Sequence, residues 1–148
     1  MNNKIPPPLV TLFFGLCIFF TKSFFPEFNS EFLNVTSLLL LLVGISILVS
    51  AVSSFKEYKT TINPIKIEKA SSLVTTKTFS FSRNPMYLGM LIILMSLSFK
   101  FNIIGGLFIL PLFVFFITKF QIIPEEVAME KIFKDEFVEY KATTRRWI

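Results

Sequence analysis

The stretch SLLLLLVGISILVSAVSSF, residues 37–55, holds no charged side chain and lies within an apolar run from Leu33 to Phe55. As a helix rising about 1.5 Å per residue, such a run is long enough to cross about 30 Å of hydrocarbon. Three more apolar runs accompany it. Pro6 to Phe25 is broken by one charge, Lys22; Pro85 to Phe99 is shorter; Ile103 to Ile123 has Pro111 inside it and Lys119 near its end. Of 148 residues, 53% are hydrophobic and 20 are Phe. A water-soluble domain of this size cannot bury that much apolar surface, so lipid must cover part of it. The expected fold is all-α, a polytopic membrane helical bundle of about four transmembrane helices plus a cytoplasmic C-terminal amphipathic helix.

Lys4 and the first run have the look of a signal peptide, but TKSFFPEF offers no small-residue cleavage site, and the run is read as a span. One membrane domain, 1–148, then divides into two spans (1–55), a loop (56–84), a helical hairpin (85–123) and a tail helix (124–148). Basic residues set the orientation. Lys56, Lys59, Lys66, Lys69, Lys77 and Arg83 crowd the central loop, and Lys131, Lys134, Lys141, Arg145 and Arg146 crowd the tail. The first connection holds Lys22 against Glu27 and Glu31, and the link KFN holds only Lys100. Four spans with both termini cytoplasmic satisfy every loop, in the inner or plasma membrane if the source is bacterial. The net charge of +5 is then a topology signal, leaving little for a nucleic-acid partner to explain.

Beyond Pro124, the residues Met129, Ile132, Phe133, Phe137 and Tyr140 recur at helical spacing, with Glu126, Glu130, Lys134, Asp135 and Glu139 opposite. Pro124 suits a first helical turn and Glu125-Glu126 suit its positive dipole end. Histidine is absent and Cys17 is the only cysteine, so no metal site is expected. The candidate chemistry lies in two clusters. Arg83-Asn84-Pro85 with Tyr87 stands at the entrance of the third span, and Glu125-Glu126 at the exit of the fourth. A hairpin of the last two spans brings both to one rim. Each residue also has a structural role open to it: Asn84 as a helix cap, Arg83 as an interfacial cation, Tyr87 in an aromatic belt, Gly89 as a close helix contact.

From about Thr60 to Ile148 the chain resembles the isoprenylcysteine carboxyl methyltransferase and phospholipid methyltransferase superfamily of integral membrane enzymes. The resemblance rests on an ordered set of motifs: TTINP (60–64), LVTTKTF (73–79), SRNPMYLG (82–89), PEE (124–126), FKDEFVEY (133–140) and RRW (145–147). Two departures stand out. The family's Gly-Pro-Tyr is Lys77-Thr78-Phe79 here, which predicts loss of a glycine turn. Its Phe-Gly is Phe133-Lys134, with Phe137 replacing the first tyrosine of that helix.

The resemblance implies S-adenosylmethionine in a pocket between the last two spans and the tail helix. Arg83, Asn84, Pro85, Tyr87, Gly89, Glu125 and Glu126 would form it, with Arg83, Glu125 and Glu126 as the catalytic candidates. Arg83 suits a carboxylate, Asn84 an amino-acid moiety or adenine, and the glutamates ribose hydroxyls or an ammonium. Tyr87 offers a π face to a cation, and Gly89 would let the cofactor approach helical backbone. Arg145, Arg146 and Trp147 would either close the pocket or anchor the tail. The acceptor would be a membrane-partitioned amphiphile. A prenylated-cysteine-like carboxyl fits the motif spelling best, and a carboxylate nucleophile needs no base. A phospholipid or other amine acceptor would need Glu125 or Glu126 to take its proton. An NADPH-dependent sterol-reductase-like enzyme and a non-enzymatic membrane subunit are the alternatives. The sequence carries no sign of the oligomeric state.

Overall fold

In the computed structural model, residues 5–28, 30–60 and 70–148 are described. Residues 61–64 of TTINP, together with Lys4, Lys66 and Lys69, lie outside them. Helix α1 spans Pro7–Thr21, α2 Glu31–Glu57, α3 Pro85–Phe101, α4 Ile103–Ile117 and α5 Ile123–Thr143. A 3-10 turn at Lys77–Ser80 precedes α3, and a π-helical turn at Thr118–Ile122 joins α4 to α5. No strand occurs among the described residues. The fold is a helical membrane bundle, as expected.

Local signals set the boundaries. Ser30 caps α2 by accepting from the Leu33 amide. Pro85 stands in the first turn of α3, where the missing N–H costs nothing, and Pro124 follows the π turn at the head of α5. The third and fourth helices are joined through Asn102 alone. Its Oδ1 accepts from the Gly105 amide at 2.7 Å, and its Nδ2 donates to the carbonyls of Phe25 and Pro26. One buried amide thus starts α4 and pins the α1–α2 connection to the same end of the bundle.

Helix α3 is the centre, packed on α2, α1 and α4. It meets α2 where two glycines face each other. A Cβ on Gly89 would lie 3.0 Å from the Gly44 carbonyl oxygen and 2.9 Å from Leu48 Cγ. Seven residues earlier on α2, Ser37 Oγ donates to the Ser96 carbonyl at 3.0 Å, and Ser96 Oγ to the Ser37 carbonyl at 2.8 Å. Small residues bring the backbones close, and hydroxyls hold them in an apolar setting. The outer helices face outward with large apolar side chains, among them Leu12, Phe13, Leu39, Leu42, Leu107 and Phe115, each about half exposed or more. Water would not tolerate so continuous an apolar surface; lipid would.

Two apolar clusters organise the interior. The first joins Val10, Phe14 and Ile18 of α1 to Tyr87, Met90 and Leu94 of α3 and Phe113 and Ile117 of α4. The second joins Ala51 of α2, Leu73, Val74 and Phe79 of the loop, and Phe137 and Tyr140 of α5.

The tail departs from a simple amphipathic helix in three ways. Helix α5 continues from α4 through the π turn instead of starting afresh. It is broken at Lys134, whose φ of 46° and ψ of −120° reset the helical phase. Ile132 is left exposed, while Met129 and Phe133 before the break and Phe137 and Tyr140 after it pack inward. Glu126, expected on the solvent side, turns inward.

Candidate functional site

A cavity of about 490 Å³ opens between the two apolar clusters, within the size range of small-molecule sites. Its walls come from the start of α1, the end of α2, the loop before α3, the start of α3, and α5. These ends therefore share one end of the bundle. Arg83, Asn84, Pro85, Tyr87, Glu125 and Glu126 all line it. Two segments about forty residues apart supply its charged groups, because α3 and α4 form a tight hairpin and the π turn carries the chain directly into Glu125-Glu126.

Glu126 is the hub of an ion-pair network. Arg83 Nη2 donates to its Oε1 at 2.8 Å, Arg146 Nε to Oε1 at 3.0 Å and Arg146 Nη2 to Oε2 at 2.6 Å. Burial alone would raise the Glu126 carboxyl, but the hydrogen bonds and charges of Arg146 and Arg83 hold it below the usual carboxylate range. The same contacts raise Arg146. Arg83 is further fixed by Nη1 bonds to the carbonyls of Thr144 (2.6 Å) and Lys141 (3.3 Å), and its amide donates to the Arg145 carbonyl. Only its Nε is buried without a partner. That orphaned donor sits on a residue lining the cavity, a position suited to an anionic or carbonyl group of a guest.

Glu125 is in the opposite condition. Its Oε1 accepts from the Tyr87 hydroxyl at 2.5 Å, and among the described residues no Lys or Arg pairs with it. Burial pushes its carboxyl up to about 7; the Tyr87 hydrogen bond opposes the rise and the neighbouring Glu126 charge adds to it. Two adjacent carboxyls are thus set apart by their surroundings, one clamped as an anion and the other able to change protonation near neutrality.

The remaining candidates are placed differently. Asn84 stands at the N-cap of α3 but makes no side-chain cap there. Its Nδ2 donates to the Arg146 carbonyl at 2.9 Å instead, because the C-terminal segment folds back across the start of α3. Gly89 does not line the cavity and serves the α2 crossing. Arg145 is exposed and takes part through its backbone carbonyl. Trp147 donates to Thr118 Oγ1 at 3.3 Å and packs on the first apolar cluster, which ties the chain end to the π turn. Arg146 reaches Glu126 without lining the cavity.

The expected loss of the glycine turn is not what the loop shows. Lys77 adopts φ 56°, so the left-handed backbone persists with a lysine in it, and Lys77 Nζ pairs with Glu57. Lys134, at the other departure, also has positive φ. Both lysines keep a conformation that glycine takes freely. Sequence reasoning missed Gln121 and the tri-proline start of α1. A lone amide in the apolar stretch TKFQIIP was the available signal.

Residues 33–136 match the phospholipid methyltransferase family. The chain belongs to that family. No curated protein and no solved structure matches it. Membership agrees with the resemblance drawn from the motifs, and it makes the chain a membrane protein of methyltransferase type. The match takes in α2, α3, α4 and Glu125-Glu126, and leaves out α1 and the last twelve residues, which carry Arg146.

Proposed function

We propose that the chain is an S-adenosylmethionine-dependent methyltransferase acting on a membrane-partitioned amphiphile, built as four spans with both termini cytoplasmic. The observation that carries this is the convergence of Arg83, Asn84, Tyr87, Glu125 and Glu126 on one cavity, in a chain of methyltransferase family. When bound, S-adenosylmethionine supplies an electrophilic methyl group on a sulfonium. Arg83 Nε would meet the cofactor carboxylate, Tyr87 would present its ring to the positive charge, and Asn84 would orient the polar end. Glu126 keeps Arg83 aimed. The apolar walls exclude water and align the reactants, which is worth on the order of 7–11 kcal/mol in well-oriented reactions.

Glu125 supports one class of acceptor. It lines the cavity with no cationic partner among the described residues. A protonated amine headgroup would supply the missing charge, pass its proton to Glu125 and attack the methyl with the freed lone pair. A nitrogen–carbon bond would form as the cofactor's carbon–sulfur bond broke. A carboxylate acceptor, as on a prenylated cysteine, needs no base but would meet repulsion from an ionised Glu125. We therefore favour a phospholipid amine over a prenylcysteine carboxyl.

Titration of the detergent-purified protein with S-adenosylmethionine and, separately, NADPH tests the cofactor. Saturable binding of the first alone is expected; binding of the second alone would mean a reductase, and of neither a non-enzymatic subunit. With radiolabelled methyl donor, phosphatidylethanolamine vesicles should accept label and a farnesylcysteine analogue should not. Glu125→Gln should lower that transfer by about 100-fold with cofactor affinity kept; label on the farnesylcysteine alone would overturn the amine assignment.

A further inference from the structure

Helix α1 lies outside the family match, yet its start forms part of the cavity wall. Pro6, Pro7 and Pro8 all line it. A helix N-terminus normally presents unpaired N–H groups, but Pro7 and Pro8 have none, and the next amides, of Leu9 and Val10, both donate to the Pro6 carbonyl. The wall is therefore hydrocarbon without donors. Thr11 Oγ1, one turn along α1, donates to the Pro7 carbonyl at 3.0 Å, and a side chain reaches the segment from another element. Gln121, 2% exposed within the π turn, donates from Nε2 to the Ile5 carbonyl at 2.9 Å. The π turn that directs Glu125-Glu126 into the cavity thus also ties down the segment closing its α1 side. Below that segment Val10 and Phe14 pack with Tyr87 and Met90, and the ion-pair network of Arg83, Glu126 and Arg146 lies on the tail side.

We propose that the Ile5–Pro8 segment, staked by Gln121, is the specificity wall for the methyl acceptor, selecting headgroups by volume and not by hydrogen bonding. It offers the cavity no polar group for a cofactor, and the polar groups suited to one come from the entrance of α3 and from α5. Its role in acceptor choice rests on the methyl-transfer assignment; the wall itself does not.

A reporter thiol separates the two. In the full chain with Cys17→Ser, Met90→Cys places a thiol on the cavity lining next to α1. Its alkylation rate by N-ethylmaleimide is measured with Gln121 intact, with Gln121→Leu and with Pro6→Gly. The exposed Pro6 gives a variant that leaves the buried Gln121 untouched. Both variants should raise the rate about tenfold; unchanged rates in both would overturn the wall. In the same two substitutions without the reporter, S-adenosylmethionine affinity should stay within twofold. Transfer to the bulkier N,N-dimethyl phosphatidylethanolamine should rise at least fivefold relative to phosphatidylethanolamine. An equal loss of cofactor affinity would place the segment on the cofactor side and overturn the acceptor role. Absence of cofactor binding in the unmodified protein would remove that role together with the methyl-transfer assignment, while the thiol rates still decide the wall.

Discussion

Lys134 holds a backbone conformation that a side chain opposes, with φ 46° and ψ −120° in the middle of α5. Strain of this kind costs about 1–3 kcal/mol, and glycine escapes it while losing more conformational entropy on folding. Lys134→Gly should therefore stabilise the protein by about 1 kcal/mol, seen as a higher thermal unfolding midpoint in detergent. Lys77→Gly should gain less, because it also removes the ion pair with Glu57, although exposed pairs contribute only about 0–1 kcal/mol. At the same scale, Glu125 links stability to pH. Its folded-state pKa of about 7 lies above the ordinary 4.5, so its contribution is fully present below about pH 4.5 and is lost as pH rises through 7. Glu126, held low, runs the other way and loses its contribution as pH falls. In Glu125→Gln the first of these disappears. Relative to the parent, the variant should gain thermal stability on going from pH 5 to pH 8; a parallel pair of curves would contradict the buried, cation-free setting of Glu125.

At the scale of elements, the α2–α3 crossing and the π turn do separate work. Gly44 and Gly89 set how closely the central helix approaches α2, and the cavity lies beyond that contact. Gly89→Ala places a methyl 3.0 Å from the Gly44 carbonyl oxygen, and the backbone has little room to yield. The expected cost is about 1–3 kcal/mol of stability, with cofactor affinity falling less than stability does. A large affinity loss at unchanged unfolding midpoint would return Gly89 to the cofactor contact that the motif alone had implied. The π turn carries Gln121 and leads into Pro124, Glu125 and Glu126, so one local irregularity serves both the polar and the apolar wall.

For the whole molecule, the ends of the helices alternate. The start of α1, end of α2, start of α3 and start of α5 meet at the cavity. At the opposite end, Asn102 bonds the carbonyls of Phe25 and Pro26, and Lys100 donates to Asn34. If this bundle spans the membrane as proposed, Lys77 and Lys100 lie on opposite faces. In sealed vesicles of known orientation, with Cys17→Ser, an impermeant maleimide should label Lys77→Cys from the cytoplasmic face and Lys100→Cys from the other. Labelling of both from one face would exclude the arrangement. Helices α1 and α3 are short for about 30 Å of hydrocarbon; α3 tolerates this because protein surrounds it, with eight of its residues buried.

Apolar run length and the placement of basic residues were enough to specify an all-helical membrane chain, since both follow from the cost of putting polar backbone and charge in lipid. The ordered motifs were enough to place it in its family and to name Arg83, Asn84, Tyr87 and Glu125-Glu126 as neighbours. What one dimension did not contain was the partner of each group. Two adjacent glutamates look alike as letters, and only the fold-back of the C-terminal segment gives Arg146 to Glu126 and leaves Glu125 with Tyr87. The same fold-back takes the Asn84 amide away from capping. Lys77, in place of a family glycine, looked like a lost turn, yet its backbone keeps positive φ. Local pattern sets what each segment can bury; which charges meet, and which remain without a counter-ion, depends on contacts between segments distant in the chain.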